Sequence, residues 1–169
     1  VYPDLAGKKA LVRMNVRASS SAKGEIALSA RSFNTNVNHE IAPVYQTVTV
    51  RKGDNPLEME LPMGQNFLTW DEFSPALYRL TATLKNGKQI ETKQVQFGMR
   101  EFTINGKWFY VNGRKTMLRG TVENCDFPLT GYAPMDVASW ERVFRICRNY
   151  GLNHMRFHSF CPPEAAFIA

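Results

Sequence analysis

Polar side chains that could bind a ligand follow two short apolar segments near the end of the sequence. Glu123 and Asn124 come after the first segment, and Arg156 and His158 lie at the end of the second. A guanidinium can hold a carboxylate or several hydroxyls in a rigid fork, a histidine can donate or accept near neutral pH, and an asparagine side chain does both. The four residues therefore predict a site that binds and orients a small polyhydroxylated or carboxylated ligand.

Three of these residues also have a purely structural interpretation. Arg156 can equally orient a buried carboxylate of another strand. His158 can be a histidine whose hydrogen bonds are satisfied within the fold, and Glu123 can shape its own loop. The sequence leaves both interpretations open at each position.

No complete catalytic set accompanies these residues. The sequence contains no GxSxG elbow, P-loop, GxGxxG fingerprint or HExxH motif. The cysteines Cys125, Cys147 and Cys161 are odd in number and lack CxxC spacing, which predicts free thiols rather than a disulfide framework or a zinc site. Pairing of Cys125 with Cys161, which would follow neighbouring strands, stays open. We assign no catalytic residue, no metal site and no cofactor from this sequence.

The elements that would position the site follow the order strand, helix, strand. Asp136 suits a helix N-cap and Gly151 suits the C-terminal stop of a helix. Apolar residues between them recur at spacings of three and four, which predicts an amphipathic helix: Val137, Trp140, Phe144 and Cys147. The run from Leu152 to Phe157 is short and largely apolar, as in a strand buried on both faces, and a second helix begins near Glu164.

Residues 9–97 alternate between apolar and polar side chains, which indicates half-buried β-strands. Asn86-Gly87 predicts a two-residue hairpin turn of type I′ between two of them. About six or seven short strands without helical periodicity predict a mainly β fold, with an immunoglobulin-like β-sandwich over residues 1–98. Because this segment has no cysteine, its core must close by aliphatic and aromatic packing alone.

Residues 99–169 form the second predicted domain. Asn105-Gly106 and Asn112-Gly113 predict small hairpins that would serve as a junction. The strand, helix and strand that follow predict the first β-α-β part of a truncated (β/α)8 barrel, in which functional side chains lie at the C-terminal ends of the strands.

The composition excludes several classes of protein. The 169 residues are 44% hydrophobic and 21% charged with a net charge of +6, which indicates a folded chain. The basic residues are spread along the sequence, which argues against nucleic-acid binding. No apolar run approaches the roughly 20 residues that cross a bilayer, and the N-terminus shows no secretory signal, so no membrane partner is predicted.

Several short motifs follow one another from about Trp70 to the last residue: Trp70-Asp71, Pro75-Ala76-Leu77-Tyr78, Phe97-Gly98-Met99-Arg100-Glu101-Phe102, Val111-Asn112-Gly113-Arg114-Lys115, Leu118-Arg119-Gly120 and Asn153-His154-Met155-Arg156. In this order and spacing they resemble glycoside hydrolase family 2, the β-galactosidase and β-glucuronidase group. Residues before Trp70 match only in strand pattern.

The resemblance implies a larger enzyme, with a sugar-binding-like β domain, an immunoglobulin-like sandwich and a TIM barrel that hydrolyses β-glycosides with retention. It places the acid/base and nucleophile glutamates on later barrel strands, so the 169-residue chain is expected to be inactive alone. Family members often carry a histidine after the Arg-Gly pair and another after the Asn-x-x-Arg strand. Asn124 stands near the first position, and Ser159 near the second with His158 one residue early.

Two functional hypotheses follow. The favoured one is an internal fragment of a retaining exo-β-glycosidase, whose partners are a carbohydrate substrate and the remainder of its own chain, in a periplasmic or secreted parent. The alternative is a non-catalytic immunoglobulin-like module that binds carbohydrate or protein. Truncation of a barrel would leave apolar surface and open sheet edges exposed, which predicts self-association of the fragment or docking of the helix back onto the sandwich.

Overall fold

A computed structural model describes all residues, 1–169, and the chain forms two compact units, Val1–Lys115 and Thr116–Ala169. Strands dominate, so the predicted mainly β class is confirmed. The domain boundary that the sequence places at 98/99 stays a prediction. No helix has the length and apolar character needed to cross a membrane.

Two antiparallel sheets form the core of the first unit. One has the order β1-β2-β5, formed by β1 (Tyr2–Asp4), β2 (Lys9–Ala18) and β5 (Gly53–Pro62). The other has the order β4-β3-β6-β7, formed by β3 (Ala22–Ser32), β4 (Glu40–Val50), β6 (Tyr78–Asn86) and β7 (Gln89–Phe97). A two-residue turn of Gly87 and Lys88 joins β6 to β7, because Asn86 pairs with Gln89 as the last residue of β6. The predicted type I′ turn centred on Asn86-Gly87 is therefore wrong, since only Gly87 of that pair has a positive φ, +58°.

The predicted alternation explains how these strands form. On β2 and β5 the polar side chains pair across strands on the outer surface, where Arg13 donates to Glu58 at 2.7 Å and Arg17 to Asp54 at 2.9 Å. The apolar side chains of both sheets join one buried core: Ala10, Val12, Ile26, Leu28, Val48, Met59, Leu61, Tyr78, Leu80 and Phe97 are among its members.

A short meander follows the two sheets. Its order is β10-β9-β8, formed by β8 (Phe102–Asn105), β9 (Trp108–Val111) and β10 (Arg114–Thr116), which confirms the predicted hairpins. Trp70 fixes the approach to this meander, because its N–H donates to Met99 O and its carbonyl accepts from Asn112 Nδ2, both at 2.9 Å. A Cβ on Gly98 would meet Trp70 Cβ at 2.9 Å, so only glycine fits there.

The second unit contains β11 (Gly120–Glu123), α1 (Val137–Asn149), β12 (His154–Phe157) and α2 (Glu164–Ile168). Strands β11 and β12 pair in parallel, and α1 provides the connection that parallel strands require. A small apolar cluster centres on Trp140 with Ala165 and Ala166 of α2.

The core of the first unit contains one polar group whose partners can be tested. The Tyr78 side chain is fully buried, its hydroxyl accepts from the Leu68 N–H at 2.8 Å, and it lies 2.8 Å from Nδ1 of His39. Burial raises the pKa of the Tyr78 hydroxyl. We expect Tyr78→Phe to leave the Leu68 N–H unsatisfied and to lower the free energy of unfolding by about 1–3 kcal/mol. Urea denaturation measures this loss.

Tyr45→Phe is the matched control, because the Tyr45 side chain is 64% exposed. We expect this variant to unfold like the parent sequence. Equal stability of the two tyrosine variants would contradict a structural role for the buried hydroxyl.

Candidate binding site at the ends of two parallel strands

The parallel register brings the predicted site segments side by side. Val122 pairs with Arg156 and Glu123 with Phe157, so β11 and β12 end at the same edge of their sheet. The His158 N–H continues the pairing by donating to Glu123 O at 2.9 Å. The residues that follow the two strands, Asn124 and His158, therefore start from adjacent backbone positions.

The opposite ends of these strands are held by the side chain of Asn153. Its Oδ1 accepts from the Arg119 N–H at 2.8 Å and its Nδ2 donates to Met117 O at 3.1 Å. The Asn153 N–H also donates to Arg119 O at 2.9 Å, and the Arg119 guanidinium donates to Gly151 O at 2.8 Å. The Asn153 side chain thus holds β11 and β12 together at the ends opposite the candidate site. The sequence did not predict this role for Asn153.

Helix α1 fixes the position of β12 by packing one aromatic side chain against it. The predicted N-cap is present, since Asp136 Oδ1 accepts from the Ser139 N–H at 2.8 Å. One turn later the fully buried Trp140 donates its Nε1–H to Pro134 O at 2.8 Å. The Trp140 ring meets the Phe157 ring edge to face, with centroids 5.7 Å apart.

Strand alternation then separates the site residues between two faces. Phe157 and its register partner Glu123 lie on the face covered by α1, whereas Arg156 and its partner Val122 lie on the uncovered face. Both side chains on the uncovered face are exposed, and Val122 is 49% exposed. The guanidinium of Arg156 is therefore accessible to a ligand.

Glu123 is held within its own loop. Its carboxylate Oε1 accepts from the Cys125 N–H at 2.8 Å, and Cys125 has a φ of +63°. A left-handed backbone at a residue other than glycine is costly and persists only where its surroundings hold it. The carboxylate of Glu123 is one such hold, so in this structure it shapes the loop that carries Asn124.

His158 is held in a similar way after β12. Its Nδ1 lies 2.7 Å from Ser159 Oγ, and Ser159 has a φ of +66°. The left-handed residues Cys125 and Ser159 each stand two positions after the end of a strand. Both loops turn sharply at the same level of the sheet, which no sequence pattern had indicated.

The arrangement can bind and orient a polar ligand. Asn124, Arg156 and His158 are exposed and offer amide, guanidinium and imidazole groups, while all three cysteines are free. Glu123 is the one carboxylate among the four predicted residues, and it accepts a hydrogen bond within its own loop. The four predicted residues supply no pair of free carboxylates for acid and base catalysis.

Comparison with known sequences gives one family match. Residues 1–100 match the family "Glycosyl hydrolases family 2". A β-galactosidase of Thermoanaerobacterium thermosulfurigenes is 36% identical over 64 residues, which are 38% of this chain and 9% of the relative.

Solved structures share the fold at lower identity. A glycosyl hydrolase family 2 member from Bacteroides cellulosilyticus superposes with a TM-score of 0.78 at 21% identity, covering 96% of this chain and 23% of that one. Bacteroides uniformis β-glucuronidase 2 also gives a TM-score of 0.78, at 20% identity, covering 99% of this chain and 21% of that one. The chain spans less than a quarter of the length of each of these three proteins.

The cap of α1 gives a pH-dependent prediction. Hydrogen bonds from the N–H and hydroxyl of Ser139 lower the pKa of the Asp136 carboxyl. A lowered folded-state pKa stabilises the helix above the ordinary aspartate value of about 3.9 and loses that contribution as pH falls through the lowered value. We expect helical ellipticity to decline over this acidic range, and Asp136→Asn, which keeps an acceptor, to remove that dependence.

Asp126→Asn is the matched control, since it removes the same charge from the exposed loop before the helix. An acid transition that persists unchanged in Asp136→Asn and disappears in Asp126→Asn would assign the titration to another group and contradict the cap.

Proposed function

We propose that this chain, which belongs to the glycosyl hydrolases of family 2, is part of an enzyme that hydrolyses β-linked O-glycosyl bonds. The observation that carries this proposal is the family match over residues 1–100, followed in the same chain by a parallel β-α-β unit. The named relatives act on β-galactosides and β-glucuronides, which makes terminal β-linked sugars the first substrates to test.

The finer architecture that we propose is an immunoglobulin-like sandwich over residues 1–98, followed by junction hairpins and the start of a (β/α)8 barrel over 99–169. Two antiparallel sheets around one core support the first part. Parallel β11 and β12 with α1 between them support the second. In such a barrel the uncovered face of Val122 and Arg156 would turn toward the barrel axis.

We assign substrate contact to groups at the carboxyl ends of the two strands. Arg156 is exposed and forms no ion pair in the structure, so its fork is available for sugar hydroxyls or a carboxylate. His158, whose Nδ1 lies beside Ser159 Oγ, and Asn124 add imidazole and amide hydrogen-bonding groups. Glu123 contributes by holding the loop that presents Asn124.

We propose an exo-acting mechanism that retains anomeric configuration. It requires two carboxyl groups about 5–5.5 Å apart, one as acid and base and one as nucleophile. The resemblance assigns these to glutamates on later barrel strands. The present residues would then orient the sugar for attack.

The 169-residue chain should therefore show no turnover of nitrophenyl β-galactoside or β-glucuronide. In the complete reading frame, Arg156→Ala should lower kcat/KM by about 10- to 100-fold, the effect of losing a charged hydrogen bond. NMR of the first-formed product should show the β anomer. Arg142→Ala, an exposed guanidinium on α1, is the control and should leave kcat/KM unchanged.

Two results would overturn this assignment. Turnover by the 169-residue chain that disappears in Arg156→Ala would place the catalytic groups inside it. An α anomer as first product of the complete frame would exclude retention.

The uncovered sheet face predicts association of the isolated chain. Strands β11 and β12 leave open edges and an exposed Val122. We expect light scattering to show species larger than the monomer, and Val122→Lys to reduce them by placing a charge on that face. The matched control is Thr121→Lys, which alters the helix-covered face and should not restore the monomer. Monodisperse monomer without binding of a hydrophobic dye would contradict this prediction.

A further inference from the structure

A polar cleft in the first unit lies outside the site described above. Its floor is the outer surface of the four-stranded sheet, where β3, β6 and β7 contribute Arg31, Arg79 and Gln94. The loop between β3 and β4 forms its wall with Asn36. The cleft has a volume of about 610 Å³, which is in the size range of small-molecule sites.

Two guanidiniums stand next to each other on this floor. Arg31 and Arg79 are directly opposite in the antiparallel register of β3 and β6, and like charges in that position are unfavourable. The Arg31 Nε donates to Asn38 Oδ1 at 3.3 Å, and the Arg79 guanidinium lies 4.7 Å from the Phe33 ring centroid. Neither forms an ion pair, although Glu40 is opposite Arg31 on β4.

The wall of the cleft is held in place by hydrogen bonds at the base of its loop. The buried Ser32 hydroxyl donates to Val37 O and accepts from the His39 N–H, both at 2.9 Å. Asn34 donates to Pro75 O and accepts from the Leu77 N–H, both at 2.7 Å. These bonds anchor the loop at both ends, so the cleft is formed before a ligand enters.

The other polar groups that line the cleft are neutral amides and hydroxyls, which suit sugar hydroxyls. Gln94 Nε2 donates to Thr81 Oγ1 at 3.2 Å, which orders both side chains on the floor. The amides and hydroxyls of Gln94, Thr81 and Asn36 can hydrogen-bond a polyol while the guanidiniums hold an anionic group in their forks. The net charge of +6 adds attraction for an anion.

We propose that this cleft is an accessory binding site for oligosaccharides that carry carboxylate or sulfate groups. Arg31 and Arg79 hold the anionic group, and Gln94, Thr81 and Asn36 contact the sugar hydroxyls. The proposal goes beyond glycoside hydrolysis and does not depend on it, because the cleft lies wholly within the first unit.

Calorimetric titration of the 169-residue chain at low salt tests the site. The probes are trigalacturonic acid, its neutral methyl ester and a sulfated carrageenan tetrasaccharide. We expect one or both anionic sugars to bind and the ester not to bind. Binding of only one identifies carboxylate or sulfate as the recognised group.

Arg31→Gln and Arg79→Gln should each weaken this binding by about tenfold or more, the usual effect of removing one charge-assisted hydrogen bond. Arg17→Gln is the matched control, because it removes the same charge from the same unit at an arginine already paired with Asp54. The control should bind like the parent sequence.

Thermal unfolding without ligand separates a binding role from a structural one. Each substitution removes one of two adjacent positive charges. The midpoint temperatures of unfolding of Arg31→Gln and Arg79→Gln should therefore be equal to or above that of the parent sequence. Lower midpoints would assign the arginines to fold stability.

Four binding results would overturn the proposal. These are absence of binding by both anionic sugars, equal binding of the methyl ester, equal weakening by Arg17→Gln, and equally tight binding of a tetraglutamate peptide. The last would assign the cleft to acidic polypeptide, such as another segment of a longer chain. Because every measurement is of binding or unfolding, none of these results bears on the proposed hydrolysis.

Discussion

The packing of Trp140 is the contact on which the second unit depends. Its buried ring meets Phe127 from the loop after β11, Phe144 on α1 and Phe157 on β12, with centroids 5.7–6.1 Å apart. Parallel strands cannot be joined by a tight turn, so β11 and β12 remain side by side only if the intervening helix packs on their sheet. One side chain thus links loop, helix and strand.

The consequence for the site follows from the alternation of a strand. Once Phe157 turns toward Trp140, Arg156 must turn away, and its partner Val122 turns with it. The same rule puts Glu123 on the covered side, where its carboxylate accepts a hydrogen bond from the Cys125 N–H. Arg156 is left as the accessible charged group of the pair of strands.

Much of this unit could be predicted because its signals are local. Each of these signals depends on residues that are close in sequence. They are the helix cap at Asp136, the apolar stripe of α1 and the short apolar run of β12. The roles of Asn153 and Glu123 could not be predicted in the same way. Each depends on backbone groups that only the strand register or a left-handed loop residue brings within reach.

The two sheets that form the core of the first unit follow the same pairing rule but have different outer surfaces. On β2 and β5 the register sets Arg13 opposite Glu58 and Arg17 opposite Asp54, and these pairs form. On β3 and β6 the register sets Arg31 opposite Arg79, an arrangement that charge pairing alone would not favour.

The strand pattern predicted both sheets but not which side chains would face each other, because register depends on residues far apart in sequence. The first sheet thus offsets its positive charges with its own carboxylates, whereas the repulsion between Arg31 and Arg79 on the second sheet would be offset by the anionic ligand that we propose.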